Sequence, residues 1–248
     1  MIRACTLLLL LALAGPDNVL TPAEKREGWH LLFDGNTLDG WMWSISPNPP
    51  APAWTVDHGT IRTTPDRGKP VYLLTRESFS DFELSFEWKA GPGANSGIKY
   101  RFQGYGGQGK LSEIPVEAEG KRIEPTGLEY QIADDRANPD AISDLKHSTA
   151  ALYEYIAPKK SAPALPDVWH KGRIVARGLH IEHWLDGSKV VDIDLSSDEA
   201  EKGFAASKRR SAPLLRKQER QNSPVALQFH DGDVSFRNLK VRNLSVSR

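Results

Sequence analysis

The chain has 248 residues, and its 32 lysines and arginines balance its 32 aspartates and glutamates, so the formal net charge is zero. A balanced charge gives no reason to expect binding to nucleic acid or to an anionic membrane surface. The one cysteine, Cys5, lies near the N-terminus, which excludes zinc–thiolate sites and cysteine nucleophiles from the rest of the chain.

The N-terminal segment has the pattern of a cleaved secretory signal peptide. Arg3 precedes an apolar run from Ala4 to Ala14 that ends in small residues, and the run is too short to span a bilayer as a helix. We therefore expect residues 1–14 to be removed. The mature protein is then a single domain over residues 28–248, in a bacterial periplasm or outside the cell, where a domain of this length is stable without disulfides.

Short runs of alternating apolar and polar residues, separated by turn residues, begin at Trp29. This pattern is typical of an all-β sandwich or jelly roll. In FELSFEWKA, residues 82–90, every second side chain is apolar, which predicts a half-buried strand. The run GIKYRF predicts another strand after the turn GPGANS.

The stretch GLEYQIADD, residues 127–135, predicts a strand with two different faces. Its second, fourth and sixth residues are apolar, whereas Glu129 and Gln131 alternate with them and should point to the opposite side of the sheet. The acids that follow, Asp134 and Asp135, are interpreted as residues that shape the next loop.

The second half of the chain contains two long interruptions and two hairpin signals. The composition of residues 134–168 predicts long rim loops. The composition of residues 197–222 predicts a short helix or a charged loop. Asp186 and Gly187 lie between two apolar runs, which predicts a tight hairpin because both residues tolerate positive φ. The ending PVALQFHDGDVSFRNLKVRNL predicts two more strands around a turn at residues 231–233.

The next-to-last strand repeats the polar pattern of residues 127–135. In VALQFHD, Gln228 and His230 share one face, and apolar side chains share the other. If both strands lie in one sheet, Glu129, Gln131, Gln228 and His230 would form a polar floor. The alternative interpretation is an ordinary sheet surface that faces solvent.

Seven motifs occur in order between about Gly28 and Val241: GWHLLFDGNTLDGW, NSGIKYR, GLEYQIADD, ALY, HIEHWLDG, SK and VALQFHDGDVSFRNLKV. Together they resemble the 3-keto-disaccharide hydrolase family. The resemblance implies a concanavalin A-like jelly roll of two antiparallel sheets, a carbohydrate site on the concave sheet, and hydrolysis of glycosides that are oxidised at C3 of the sugar. Arg209 and Arg210 depart from the family's pattern, because relatives often have an aromatic residue after SK.

The resemblance also implies site residues, taken at the positions that match the motifs. These are Asn95, Ser96, Arg101, Glu129, Gln131, Asp134, Tyr153, Lys208, Gln228 and His230.

A 3-keto sugar can lose its aglycone more easily than an ordinary glycoside. Ordinary glycosidases use two carboxyl groups. Here Asp134 is distant from Glu129, and the residue between them on the same face, Gln131, carries an amide instead of a carboxyl group. The ketone, in contrast, acidifies the hydrogen on C2, so that the aglycone can leave C1 by elimination and water can add afterwards. This route requires a base, a group that stabilises the enolate, and an acid for the leaving oxygen.

Several residues are candidates for these roles. Glu129 and His230 are candidates for the base, and Arg101 and Lys208 for the cation that stabilises the enolate. His147 and Tyr153 are candidates for the proton donor, although His147 could also be a solvated loop histidine. The side chains expected to bind the substrate are Asn95, Ser96, Gln131, Asp134, His147, Tyr153 and Gln228.

No cofactor and no metal ion are expected. Asp134, Asp135, His147 and His230 carry potential ligand atoms, but their spacing matches no standard zinc or calcium motif. The leading hypothesis is a secreted enzyme, hydrolase or lyase, that cleaves 3-keto-glycosides or disaccharides. The alternatives are a non-catalytic carbohydrate-binding module, because jelly rolls also serve lectins, and a structural module of an envelope assembly.

Overall fold

The computed structural model describes residues 17–43, 54–64, 71–103, 117–118, 121–122, 126–159, 163–207 and 222–244. The predicted signal peptide, residues 1–14, and the candidate Lys208 lie outside the described residues. Within the described ranges, no helix is long and apolar enough to cross a membrane.

Strands dominate the described part of the chain. They are β1 (His30–Leu31), β2 (Trp41–Trp43), β3 (Trp54–Asp57), β4 (Thr60–Thr63), β5 (Val71–Thr75), β6 (Phe82–Ala90), β7 (Asn95–Gln103), β8 (Glu117–Ala118), β9 (Lys121–Arg122), β10 (Thr126–Ala133), β11 (His170–Arg177), β12 (His180–Leu185), β13 (Ser188–Asp194), β14 (Ala226–Asp231) and β15 (Val234–Asn243). The helices are α1 (Pro22–Arg26), α2 (Pro139–Ser143), a 3₁₀ helix (Leu145–His147) and α3 (Asp198–Ala206).

Most strands belong to two antiparallel sheets. The eight-stranded sheet has the order β13-β12-β11-β6-β15-β4-β3, with β1 also paired to β15, and the five-stranded sheet has the order β10-β7-β14-β5-β2. The short strands β8 and β9 form a separate two-stranded sheet within the described part of the chain. The predicted all-β sandwich of two antiparallel sheets is confirmed.

The core lies between the two sheets. The Phe86 ring of β6 meets the Tyr130 ring of β10 edge-on, with 5.2 Å between the ring centroids. The Tyr130 hydroxyl donates a hydrogen bond across the core to the Trp184 carbonyl of β12, at 3.0 Å. Because successive side chains in a strand point to opposite faces, Glu129 and Gln131 lie on the other side of the five-stranded sheet, as the sequence pattern predicts.

Local signals in the sequence are also realised. The β12–β13 hairpin turns at Asp186 and Gly187, whose φ angles are 47° and 83°. Helix α3 begins after Ser197, whose side chain accepts a hydrogen bond from the Ala200 N–H. The segment predicted as long rim loops, residues 134–168, also contains α2 and the 3₁₀ helix.

Candidate functional site

Strand β7 lies between β10 and β14, so these three strands bring polar side chains together on one face of the five-stranded sheet. Lys99 of β7 stands opposite Glu129 of β10. Two residues earlier in β7, Gly97 stands between Gln131 and Gln228. We call the side of the sheet that carries these residues the polar face. Three of the four residues of the predicted polar floor therefore lie on β10 and β14, the two strands that flank β7.

Glu129 and Lys99 form a buried ion pair. Lys99 Nζ lies 3.3 Å from Glu129 Oε2, and the two side chains are 0% and 3% exposed. The ammonium also lies 5.2 Å from the centroid of the Tyr72 ring of β5. Removing two charges from water costs several kcal/mol per ion before their attraction is counted. Such a pair is not expected on an ordinary sheet surface that faces solvent.

Gly97 leaves the space that the Glu129 carboxylate occupies. A Cβ atom at position 97 would lie 2.6 Å from Glu129 Oε1 and 3.1 Å from the Tyr130 carbonyl oxygen. Since the second of these atoms belongs to the backbone, it cannot move aside without distorting the sheet. The glycine of the NSGIKYR motif thus has a steric reason to lie beside the ion pair.

We expect Gly97→Ala to lower the free energy of unfolding by about 1 to 3 kcal/mol, the usual cost of overpacking a close-packed site. Urea denaturation of the purified variant measures this change. Gly91→Ala is the matched control, because there the nearest atom to an added Cβ lies at 3.5 Å; its unfolding free energy should stay within about 1 kcal/mol of the wild type. Equal stability of the two variants would contradict the packing argument.

Amide side chains lie next to the ion pair. Gln131 Nε2 donates to Asn95 Oδ1 at 3.2 Å, and Gln228 Nε2 donates to the Tyr72 hydroxyl at 3.4 Å. Gln131 Oε1 is buried and accepts no hydrogen bond within the described part of the chain. A buried acceptor without a donor costs about 1 to 3 kcal/mol, which indicates a position where a ligand hydroxyl would be favoured.

The segment that follows β10 returns along the edge of this strand. Leu152 forms an antiparallel bridge with Tyr130, and the Tyr153 N–H donates to the Glu129 carbonyl oxygen at 3.0 Å. Leu152 is buried in the core, so alternation directs Tyr153 to the polar face. Tyr153 therefore lies beside Glu129 on the side away from Lys99.

Tyr153 belongs to a cluster of three side chains, which we call the Asp140 cluster (Asp140, His147 and Tyr153). The Tyr153 hydroxyl donates to Asp140 Oδ2 at 2.9 Å, and His147 Nδ1 lies 2.9 Å from Asp140 Oδ1. The rings of His147 and Tyr153 are 4.9 Å apart. The His147 side chain is only 14% exposed, so it differs from the solvated loop histidine that was the alternative.

Two predicted site residues, Ser96 and Arg101, do not point to the polar face. Ser96 stands opposite Ile132 and Phe229, both core residues, so its side chain is on the core side of β7; its hydroxyl donates to the Gln228 carbonyl at 2.5 Å. Arg101 has a positive φ of 51°, which interrupts the alternation of β7. Its guanidinium lies 3.4 Å from Asp81, which precedes β6 of the eight-stranded sheet.

Asp134 shapes the loop after β10, as the sequence interpretation proposed. Its carboxylate accepts hydrogen bonds from the N–H groups of Gly93 at 2.9 Å, Arg136 at 3.0 Å and Ala137 at 3.2 Å. Burial acts to raise the pKa of Asp134, but these donors outweigh burial and hold the pKa below its ordinary value. The carboxylate of Asp134 is therefore committed to the loop.

His230 lies at a β-bulge near the end of β14. Phe229 pairs with Ser96, and Asp231 pairs with Asn95, so His230 is the extra residue of the bulge, and it is exposed. The structure thus separates His230 from the buried residues of the polar face.

One group of three potential metal ligands occurs among the described residues, and it lies away from the polar face. His180, Glu182 and Asp192 come together on β12 and β13 of the eight-stranded sheet. Lys189 Nζ already lies 3.1 Å from Glu182 and 2.6 Å from Asp192. The aspartates and histidines that were weighed as ligands from the sequence do not form such a group.

Sequence reasoning missed Lys99 and Asp140. The signal for Lys99 was its place between Ile98 and Tyr100, two core residues, which directs it to the same face as Gly97. The signal for Asp140 was weaker, because its position depends on how the loop after β10 folds back.

Comparison with known proteins gives a family match and a curated relative. Residues 28–242 match the family model described as a 3-keto-alpha-glucoside-1,2-lyase-like domain. The chain is 28% identical to the 3-keto-disaccharide hydrolase of Bacteroides thetaiotaomicron, a match that covers 92% of this chain and 82% of the relative.

Two solved structures share the fold. A protein of Parabacteroides distasonis, provisionally named a glycosyl hydrolase, is 26% identical with a TM-score of 0.74, over 93% of this chain and all of that chain. The exoplasmic domain of VIP36, solved with Ca²⁺ and Man3GlcNAc, is similar in fold alone, with 11% identity and a TM-score of 0.51 over 90% of this chain and 91% of that chain. Since the family model matches most of the sequence, the chain belongs to the family of 3-keto-α-glucoside-1,2-lyase-like domains.

Proposed function

We propose that this protein is a carbohydrate-active enzyme that cleaves the C1 glycosidic bond of glycosides oxidised to a ketone at C3. The observation that carries the proposal is the buried Glu129–Lys99 pair on the polar face, 3.3 Å apart. Membership of the family and the name of the Bacteroides thetaiotaomicron relative support the class of substrate.

The ketone at C3 determines the chemistry that such a pair can perform. Removal of the C2 proton gives an enolate whose negative charge rests on the C3 oxygen. The enolate electrons then form the C1–C2 double bond as the bond from C1 to the aglycone oxygen breaks. Addition of water to C1 and of a proton to C2 restores the sugar, so the same site can release an unsaturated intermediate or a hydrated product.

Glu129 and Lys99 fit the first two requirements of this route. The Glu129 carboxylate is the base that takes the C2 proton. The Lys99 ammonium supplies positive charge beside that carboxylate, where the oxyanion forms, in a site from which water is excluded. Lys99 thereby takes the role for which Arg101 and Lys208 were the candidates from the sequence.

The amides of the polar face are suited to hold the sugar. Gln131 Oε1 is a buried acceptor that a sugar hydroxyl would satisfy. Gln228 and Asn95 lie on the two neighbouring strands and add further polar groups to the same face. A few fixed polar groups around one reactive pair are typical of sites for small molecules.

The test is a comparison of methyl 3-keto-α-glucoside with unoxidised methyl α-glucoside, followed by NMR in D₂O. We expect cleavage of the 3-keto compound alone, with deuterium appearing at C2 of the sugar, because the mechanism removes the C2 proton. Cleavage of both glucosides at similar rates, without deuterium at C2, would indicate an ordinary glycosidase. Binding of the 3-keto compound without any turnover would indicate a carbohydrate-binding module instead.

A further inference from the structure

The Asp140 cluster supplies the group that the proposed route still lacks, an acid for the leaving oxygen. We infer that His147 protonates the aglycone oxygen through Nε2 and that Asp140 is the residue that positions it. This inference rests on the proposed function, because only a glycoside that loses its aglycone from C1 requires such an acid.

The hydrogen bonds of Asp140 decide which nitrogen of His147 is available. Asp140 Oδ1 lies 2.9 Å from His147 Nδ1, and a carboxylate in this position accepts a hydrogen bond from Nδ1–H. The proton at Nδ1 is therefore held by Asp140, and Nε2 is left as the nitrogen that exchanges a proton with a ligand. The imidazolium, which carries a proton on both nitrogens, is the form that can act as an acid.

Tyr153 holds the second oxygen of the same carboxylate. Its hydroxyl donates to Asp140 Oδ2 at 2.9 Å, so both oxygens of Asp140 are fixed and the carboxylate cannot rotate freely. The Tyr153 proton is directed towards an anion, which is a better acceptor than a leaving alcohol. His147, rather than Tyr153, is thus the proton donor of the two candidates from the sequence.

The cluster lies next to the proposed base. The Tyr153 N–H bonds to the Glu129 carbonyl oxygen at 3.0 Å, and the His147 ring packs against the Tyr153 ring at 4.9 Å. C2 and C1 of the sugar are bonded to each other, so a base and an acid acting on them must lie close together. The edge of β10 and the loop that returns along it carry these two groups.

His147 and Glu129 both return to their starting protonation states over the full cycle. When the C1–O bond breaks, its electron pair goes to the aglycone oxygen, and the Nε2 proton of His147 moves to that oxygen. Glu129 then carries the proton from C2, and His147 is neutral. In the hydration step, neutral His147 takes a proton from water, the hydroxyl adds to C1, and Glu129 returns its proton to C2.

The test compares two leaving groups. Methanol leaves poorly without protonation, whereas 4-nitrophenolate leaves readily as an anion. We expect His147→Gln to lower kcat for methyl 3-keto-α-glucoside by about 100-fold or more, and for the 4-nitrophenyl 3-keto-glucoside by less than about tenfold, because general acid catalysis matters most for the poor leaving group. Asp140→Asn should show the same selectivity. Glu129→Gln should lower turnover of both substrates alike.

Two further measurements separate an acid from a residue that merely supports the loop. Added imidazole should restore the ability of the His147→Ala variant to cleave the methyl glycoside. It should not restore the activity of the Glu129→Gln variant. The control His180→Gln, on β12 of the eight-stranded sheet, should leave both substrates unchanged. If His147→Gln unfolds the protein, the Asp140→Asn variant is used to compare cleavage of the methyl and 4-nitrophenyl 3-keto-glucosides.

Equal losses for both substrates in a folded His147→Gln or Asp140→Asn variant would overturn the inference and leave the proposed function intact. Failure of the wild type to cleave either 3-keto-glucoside would overturn the proposed function itself. The two failures are therefore distinguishable in one set of assays.

Discussion

Glu129→Gln is expected to lower turnover of a 3-keto-glucoside by about 100-fold or more, the scale on which general bases contribute. Glutamine has nearly the same shape as glutamate and keeps an oxygen that accepts hydrogen bonds, but it lacks the basic carboxylate. Substrate binding should survive, because the amides of the polar face are unchanged. Steady-state kinetics gives kcat, and titration calorimetry gives the dissociation constant of the same substrate.

The matched control is Glu182→Gln on β12, because Glu182 also pairs with a lysine, Lys189, at 3.1 Å, but on the eight-stranded sheet. This control should keep full turnover. The free energy of unfolding should be measured for both variants, so that a loss of turnover is read on folded protein. Full activity of folded Glu129→Gln would remove Glu129 from the mechanism and return His230 to consideration as the base.

The sequence predicted the two-faced strands because alternation is a local property. In β6 and β10, apolar residues recur at every second position, so the core side chains and the polar positions Glu129 and Gln131 could be assigned without knowing the fold. The turn at Asp186 and Gly187 was likewise predictable from two adjacent residues. Ser96 was assigned to the site from its motif, although alternation along β7 directs it to the core side.

The partners across the sheet could not be assigned in this way. The sequence does not state that β7 is the neighbour of β10, or which residue of β7 stands opposite Glu129, so the ion pair with Lys99 appears only in the sheet register. Arg101 was misplaced for a different reason. Its left-handed backbone breaks the alternation, and no residue type at that position signals this conformation.

The Asp140 cluster depends on structure that is still less local. The loop after β10 returns along the edge of the strand through the Leu152–Tyr130 bridge, and only this return brings Tyr153 beside Glu129. Asp140 and His147 lie near the beginning and at the end of a short helical segment, so their contact depends on how that segment turns. A sequence pattern could name His147 and Tyr153 as candidates, but it could not identify the carboxylate that joins them.

Lys99→Met is expected to impair stability and catalysis by separable mechanisms. Methionine fills a similar volume without charge, so the Glu129 carboxylate is left buried without its cation. Breaking a buried ion pair by removing one partner typically costs about 3 to 5 kcal/mol of unfolding free energy. Loss of the group that stabilises the enolate should also lower kcat by about 100-fold to 1,000-fold, as the loss of one oxyanion donor does.

The double variant Lys99→Met/Glu129→Gln separates the two effects. It removes both charges, so it should recover part of the lost stability, because no uncompensated ion remains buried. Turnover should stay as low as in the single variants, since both the base and the cation are absent. Lys171→Met is the control: this side chain is 77% exposed, and its replacement should change neither quantity measurably.

The role of Lys99 is decided by urea denaturation and by kcat for methyl 3-keto-α-glucoside. Both are measured on Lys99→Met, Glu129→Gln, the double variant and Lys171→Met. If Lys99→Met were destabilised but turned over substrate at the wild-type rate, the lysine would be only the structural partner of Glu129, and another cation would have to stabilise the enolate. A loss of turnover that persists in the double variant while stability recovers assigns Lys99 to the chemistry, because the catalytic defect then cannot be a consequence of the weakened fold.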